Sequence, residues 1–161
     1  MIGIVGGGQL GRMLALAGYP LGLRCLFLDS SAEAPAGQVA PLVTGAFTDP
    51  LLLRDLATRC EVLSFDWENI SVSALRAATR GLATRIAPPL RALATAQDRL
   101  AEKRLFNTLG IPTTRHAAVS SRAALTRAVQ RIGLPGVLKT RRLGYDGKGQ
   151  RVLREAADLE L

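Results

Sequence analysis

Ile2-Gly3-Ile4-Val5-Gly6-Gly7-Gly8-Gln9-Leu10-Gly11-Arg12-Met13 opens the chain with a short apolar run, a cluster of glycines and a helix-forming stretch that lasts until Gly18 and Pro20. An apolar run that ends in glycine and switches to helical composition reads as strand, turn and helix, the repeating unit of a parallel α/β sheet. Gly6, Gly8 and Gly11 fit the spacing G-x-G-x-x-G, and Asp29 follows about 20 residues on. Glycine there lets the backbone turn tightly and approach a phosphate, while the helix amino terminus offers N–H groups and partial positive charge. An NAD-type dinucleotide, another phosphorylated ligand and a purely structural turn all satisfy this pattern. Gln9 adds an amide able to hydrogen-bond a ligand and Arg12 adds a cation one turn into the helix, unless both simply face solvent.

Working outward, the same alternation continues. Strands are expected over 25–28, weakly over 42–44, over 62–65 and over 84–87; helices over 10–19, 49–59 (capped by Thr48 or Asp49), 71–79 and 90–97. This predicts a Rossmann-like parallel sheet with helices on both faces. Trp67, Glu68 and Asn69 follow a strand, and parallel sheets bind ligands beyond the carboxyl ends of their strands, so Glu68 is a candidate to grip an amine or a ribose hydroxyl. It could equally cap the helix that follows, with Trp67 covering the core.

From Asp98 the texture changes. A charged helix runs to Leu109 and closes at Gly110, an extended segment follows, and a helix over 123–132 leads into a strand over 137–140, a polar glycine loop over 141–150 and a strand from 151. A domain boundary is expected near residue 97, giving domains over 1–97 and 98–161.

Composition narrows the function classes. With 48% hydrophobic and 4% aromatic residues, the chain is equipped for an aliphatic core. Its apolar runs are broken well before the ~20 residues of a membrane span, and no basic segment precedes the first strand, so neither a span nor a signal peptide is expected. Cys25 and Cys60 fall in apolar surroundings and read as buried thiols of a reducing compartment, which points to the cytoplasm. The net charge of +8 invites a nucleic-acid reading. The arginines, however, are scattered without an aromatic stacking platform, and the only lysines are Lys103, Lys139 and Lys148, so a solvated surface accounts for the charge. His116, the only histidine, reads as structural or exposed. The sequence sets no oligomeric state, and a homodimer is compatible with it.

Val137 to Gln150, VLKTRRLGYDGKGQ, is the other informative stretch. A strand delivers Lys139 and Thr140, where a lysine can meet the α- and β-phosphates of a nucleotide. Gly144, Gly147 and Gly149 then let a loop carrying Tyr145, Asp146, Lys148 and Gln150 close over phosphates. A basic solvent-exposed hairpin is the plainer alternative.

Four ordered motifs, GGGQLGRM (6–13), FDWENI (65–70), DRLAEKRLFNTLGIPT (98–113) and KTRRLGYDGKGQ (139–150), resemble the signatures of the 5-(carboxyamino)imidazole ribonucleotide synthases of the ATP-grasp superfamily. The resemblance implies a pre-ATP-grasp domain followed by the first part of an ATP-grasp domain. It implies an enzyme that uses ATP to phosphorylate bicarbonate and passes the carboxylate to the exocyclic amine of 5-aminoimidazole ribonucleotide (AIR). Carried over by position, it puts Arg99, Lys139 and the loop Gly144, Tyr145, Asp146, Gly147, Lys148, Gly149 and Gln150 on ATP, and Gly8, Gln9, Leu10 and Glu68 around AIR. It further implies Mg2+ held by ligands beyond Leu161, so this stretch alone should not run the reaction. The chain departs from the pattern at FDWENI, where Asp66 and Trp67 replace commoner residues beside Glu68.

Overall fold

A computed structural model describes residues 1–144 and 147–160. These residues fall into two compact units, Met1–Ala94 and Thr95–Leu161.

The first unit is built on a five-stranded sheet: β1 (Ile2–Val5), β2 (Cys25–Asp29), β3 (Leu42–Thr44), β4 (Val62–Phe65) and β5 (Arg85–Ile86), in the order β3-β2-β1-β4-β5. Every pairing is parallel, as the strand-helix alternation requires. β1 is central, with Val5 in register with Leu28 on one side and Phe65 on the other. Its side chains alternate between two aliphatic layers. Val5, Leu26, Leu28 and Leu63 pack with Leu53 and Leu56 of α2 (Pro50–Thr58) and Leu75 of α3 (Val72–Ala78). Ile4, Cys25 and Phe27 pack with Ala15 of α1 (Gln9–Gly18) on the other. Strands buried on both faces read as continuous apolar runs, which is why IGIV and CLFLD were legible.

The strand order reverses at β1, since the chain steps from β1 to β2 on one side and enters β4 on the other. The crevice at the carboxyl ends of β1 and β4 is therefore the topological switch point of the sheet. Helix starts follow capping chemistry: Asp49 accepts from the N–H groups of Leu51 and Leu52, and Ser71 accepts from that of Ala74. The expected strand over 84–87 shortens to two residues, because Pro88 cannot extend the ladder. Cys25 and Cys60 are free and buried, and burial pushes both thiols up in pKa.

α4 (Leu90–Ala96) joins the units. The second unit holds α5 (Arg99–Thr108), α6 (Arg122–Ile132) and an antiparallel pair, β6 (Gly136–Lys139) with β7 (Gln150–Leu153). The described residues close on a single 3-10 turn, Ala156–Leu159, in which Glu155 and Asp158 form a capping box.

Leu63 is fully buried in the central layer. Leu63→Ala should lower unfolding free energy by about 2–5 kcal/mol, because the packed strands cannot close the cavity. Urea denaturation should show a lower midpoint at unchanged m-value.

Candidate functional site

At the switch point, the sheet register places the segment after β1 beside the segment after β4: the Gly6 N–H donates to the Leu28 carbonyl, and the Asp66 N–H to the Val5 carbonyl. The glycine turn between them is occupied by the protein's own carboxylates. Asp29 Oδ2 accepts from the Gly7 N–H at 2.7 Å, and its Oδ1 from the Ser31 N–H at 2.9 Å. Asp66 Oδ2 accepts from the Gly11 N–H at 3.0 Å.

These contacts explain the spacing of the motif. Gly6 has φ +100°, and a Cβ there would overlap Asp66 Oδ1. At Gly11, a Cβ would meet Asp66 Oδ2 and Phe27 at 2.9 Å each. Glycine at 6 and 11 therefore makes room for an internal carboxylate, which at these two positions is the structural-turn outcome among the three that the spacing allows. Gly8 differs. It is the N-cap of α1, makes no side-chain cap hydrogen bond, and has only Asp66 Oδ2 near its open face, at 3.6 Å. Gln9 and Leu10 follow it on the surface, Leu10 with 62% of its area exposed. Glu68 is exposed in the loop beyond β4, next to the Asn69 amide at 3.4 Å. The structure thus brings Gly8, Gln9, Leu10 and Glu68 to one end of one sheet. Arg12 is partly buried, and its Nε is buried without a hydrogen-bond partner. A cavity of about 350 Å³ lined by Thr58, Cys60 and Thr84 lies at the opposite ends of the strands, away from these groups.

In the second unit, Lys139 ends β6 opposite Gln150 of β7, and the glycine loop spans the gap. Both are exposed, as are Gly147, Lys148 and Gly149. Tyr145 and Asp146 lie outside the described residues. The loop is organised by Thr140, Arg99 and Asp98. Thr140 donates its N–H to the Gly149 carbonyl at 2.7 Å, and its side chain fills the space that a Cβ on Gly144 or Gly149 would need. Arg99 donates from its guanidinium to the Gly144 carbonyl at 2.6 Å. Asp98, buried at 4% exposure, caps α5 and accepts from Arg141 Nε at 2.6 Å. His116 sits apart, its Nδ1 3.1 Å from the Thr114 carbonyl oxygen.

Residues 1–97 match the family described as ribonucleotide synthetase preATP-grasp domain, and residues 104–161 match the ATP-grasp domain. The chain belongs to the ribonucleotide synthetase preATP-grasp family. Over 159 residues it is 47% identical to N5-carboxyaminoimidazole ribonucleotide synthase of Pseudomonas aeruginosa, covering 99% of this chain and 44% of that protein. N5-carboxyaminoimidazole ribonucleotide synthetase of Thermus thermophilus superposes with a TM-score of 0.88 at 47% identity, over 99% of this chain and 42% of that one. The Aspergillus clavatus synthase, solved with ADP and 5-aminoimidazole ribonucleotide, superposes at 0.84 with 28% identity, over 98% and 41% of the two chains. The chain spans less than half the length of the curated relatives it matches.

The resemblance carried by the four motifs is thereby borne out at the level of the family, and so is the α/β class. The dinucleotide alternative is not. Asp29, which in that reading would hold a ribose, is engaged in closing the turn. Asp66 is the residue that sequence reasoning passed over at this end of the sheet. The available signal was its place in FDWENI, where the chain departs from the family pattern.

Burial raises the Asp66 carboxyl pKa; the Gly11 and Gly8 N–H groups oppose the shift, and the Asp29 charge adds to it. A carboxyl whose pKa is raised on folding binds its proton more tightly folded than unfolded. Stability therefore falls as pH climbs from the ordinary aspartate value of about 3.9 through the raised one. Asp66→Asn, which keeps an oxygen for the Gly11 N–H, should flatten that slope. Urea unfolding across this window checks it, and an unchanged slope would assign the pH dependence to other groups.

Proposed function

We propose that this chain supplies the AIR-binding domain and the phosphate-covering loop of an enzyme that carboxylates AIR at the expense of ATP and bicarbonate. The boundary between the two parts is placed at residue 97. In this reaction ATP phosphorylates bicarbonate with release of ADP, and the exocyclic amine of AIR then takes up the carboxylate as inorganic phosphate leaves and the amine loses a proton. The observation that carries the reading is the convergence of Gly8, Gln9, Leu10 and Glu68 at the switch point of the sheet. It is supported by a close structural relative whose complex contains ADP and AIR.

Each group has a task that its chemistry fits. The first turn of α1 offers its backbone N–H groups other than those of Gly8 and Gly11, which Asp66 engages, together with helix charge, to the sugar phosphate of AIR. The Gln9 amide supplies both a donor and an acceptor. Glu68 accepts from the amine or from a ribose hydroxyl, and the exposed Leu10 covers an apolar edge. In the second unit Lys139 neutralises nucleotide phosphates from the end of a strand. Arg99 and the loop 144–150 hold and cover them. Magnesium is handled differently. Among the described residues, no three His, Cys, Asp or Glu side chains lie together as metal ligands, and Glu155 and Asp158 cap one another.

Calorimetric titration of the full-length enzyme with AIR and, separately, with the ATP analogue AMP-PNP tests the reading. Gly8→Val should weaken AIR binding by about tenfold or more, roughly 1.4 kcal/mol, while AMP-PNP binding moves less than about twofold. Lys139→Met should do the reverse. Equal losses for both ligands in either variant, or binding of NADH in place of AMP-PNP, would defeat the assignment.

A further inference from the structure

We propose that Asp98 is the positioning residue of the glycine loop: its carboxylate grips Arg141 and Arg142 and fixes the loop stem at the height the nucleotide phosphates require. The inference rests on the ATP reading of Lys139 and the loop.

Among the described residues Asp98 is the buried charged side chain, whereas Arg141 and Arg142 are more than half exposed. Its Oδ1 accepts from the N–H groups of Leu100 and Ala101 at 3.1 and 3.2 Å, the ordinary duty of a helix N-cap. The same oxygen accepts from Arg141 Nε at 2.6 Å, and Oδ2 stands 3.6 Å from Arg142 Nε. A cap does not need two guanidinium partners. Arg99 adds two ties from the start of α5: its N–H donates to the Arg141 carbonyl at 3.1 Å and its guanidinium to the Gly144 carbonyl at 2.6 Å. The stem from 141 to 144 is thus fastened at both ends to Asp98 and Arg99.

The segment between these ties is not a shape the chain takes unaided. Leu143 has φ +62° and is largely exposed, a left-handed backbone that leucine disfavours and that no packing around it enforces. The ties to Asp98 and Arg99 flank it at Arg141 and Gly144. Charge-assisted bonds to a planar guanidinium are directional, so they set position as well as contact. The Arg141 hydrogen bond holds the Asp98 carboxyl down at about 2 in pKa, so the pair remains ionised at neutral pH. A purely structural role would affect stability and leave ligand affinities in their original ratio.

Asp98→Asn separates cap from grip, because asparagine caps a helix as well as aspartate but lacks the charge. With AMP-PNP as probe and AIR as control, Asp98→Asn should lower AMP-PNP affinity about tenfold or more and leave AIR affinity within about twofold. The Arg141 side-chain Nε–H resonance should shift upfield as its carboxylate partner is lost. Arg141→Gln should give a similar loss, and the double variant little more than either alone. Unchanged AMP-PNP affinity in Asp98→Asn, equal losses for both ligands, or additive losses in the double variant would overturn the inference while leaving the ATP reading intact. If the unsubstituted protein binds no AMP-PNP, the ATP reading falls and this role with it. Should Asp98→Asn fail to fold, Arg141→Gln decides by the same criteria from the loop side.

Discussion

The turn between β1 and α1 is held shut by carboxylates from two other strands, and the geometry of the first unit follows from that closure. β1 is hydrogen-bonded on both edges and covered on both faces, so the chain leaves it only at its end, into the crevice where strand order reverses. There the backbone turns over a few residues, and the amides it exposes need acceptors. Asp29 at the end of β2 and Asp66 just beyond β4 supply them at 2.7 and 3.0 Å. Each carboxylate pins the start of α1 to a strand neighbouring β1. Gln9 and Leu10 are thereby held against the same crevice that Glu68 enters from β4, by bonds that involve neither the ligand nor the residues proposed to touch it.

The closure also separates two uses of the same glycine pattern. In a dinucleotide site, glycines bring the backbone close to a pyrophosphate and the acid at the end of β2 reaches a ribose. Here the space over Gly6 and Gly11 contains a carboxylate, and the acid of β2 binds a turn amide. Negative charge buried in the turn repels a second anion at that spot, so the proposed site for a phosphate lies outward, on the first turn of α1 beyond Gly8. A single sugar phosphate suits such a site better than an extended pyrophosphate.

The elements legible in the sequence were those fixed by local chemistry. IGIV and CLFLD read as strands because both faces of each are covered, and Asp49 and Ser71 read as caps because capping acts over two or three residues. Strand order was not legible, since nothing local tells β4 to pair with β1 and not with β3. The same limit hid three residues that organise the candidate sites. Asp66 meets Gly11 across 55 residues and Arg141 meets Asp98 across 43. Thr140 matters only because Gly144 and Gly149 fold back over it.

These misses share a physical cause. A glycine inside a motif marks a place where a Cβ will not fit, but sequence does not say whether a ligand or a distant side chain occupies the space. At Gly6 and Gly11 the occupant is Asp66, and at Gly144 and Gly149 it is Thr140. In both units, glycines whose spacing resembles a phosphate cradle are partly explained by internal packing, whereas a Cβ on Gly8 or Gly147 would meet only one side-chain atom, at 3.6 and 3.7 Å. Internal occupancy is what makes such a loop useful. A glycine-rich segment without an internal partner samples many conformations, and a ligand that had to order it would bind more weakly for doing so. A carboxylate or hydroxyl supplied from elsewhere in the fold meets part of that entropic cost during folding, so the loop is already shaped before any ligand arrives.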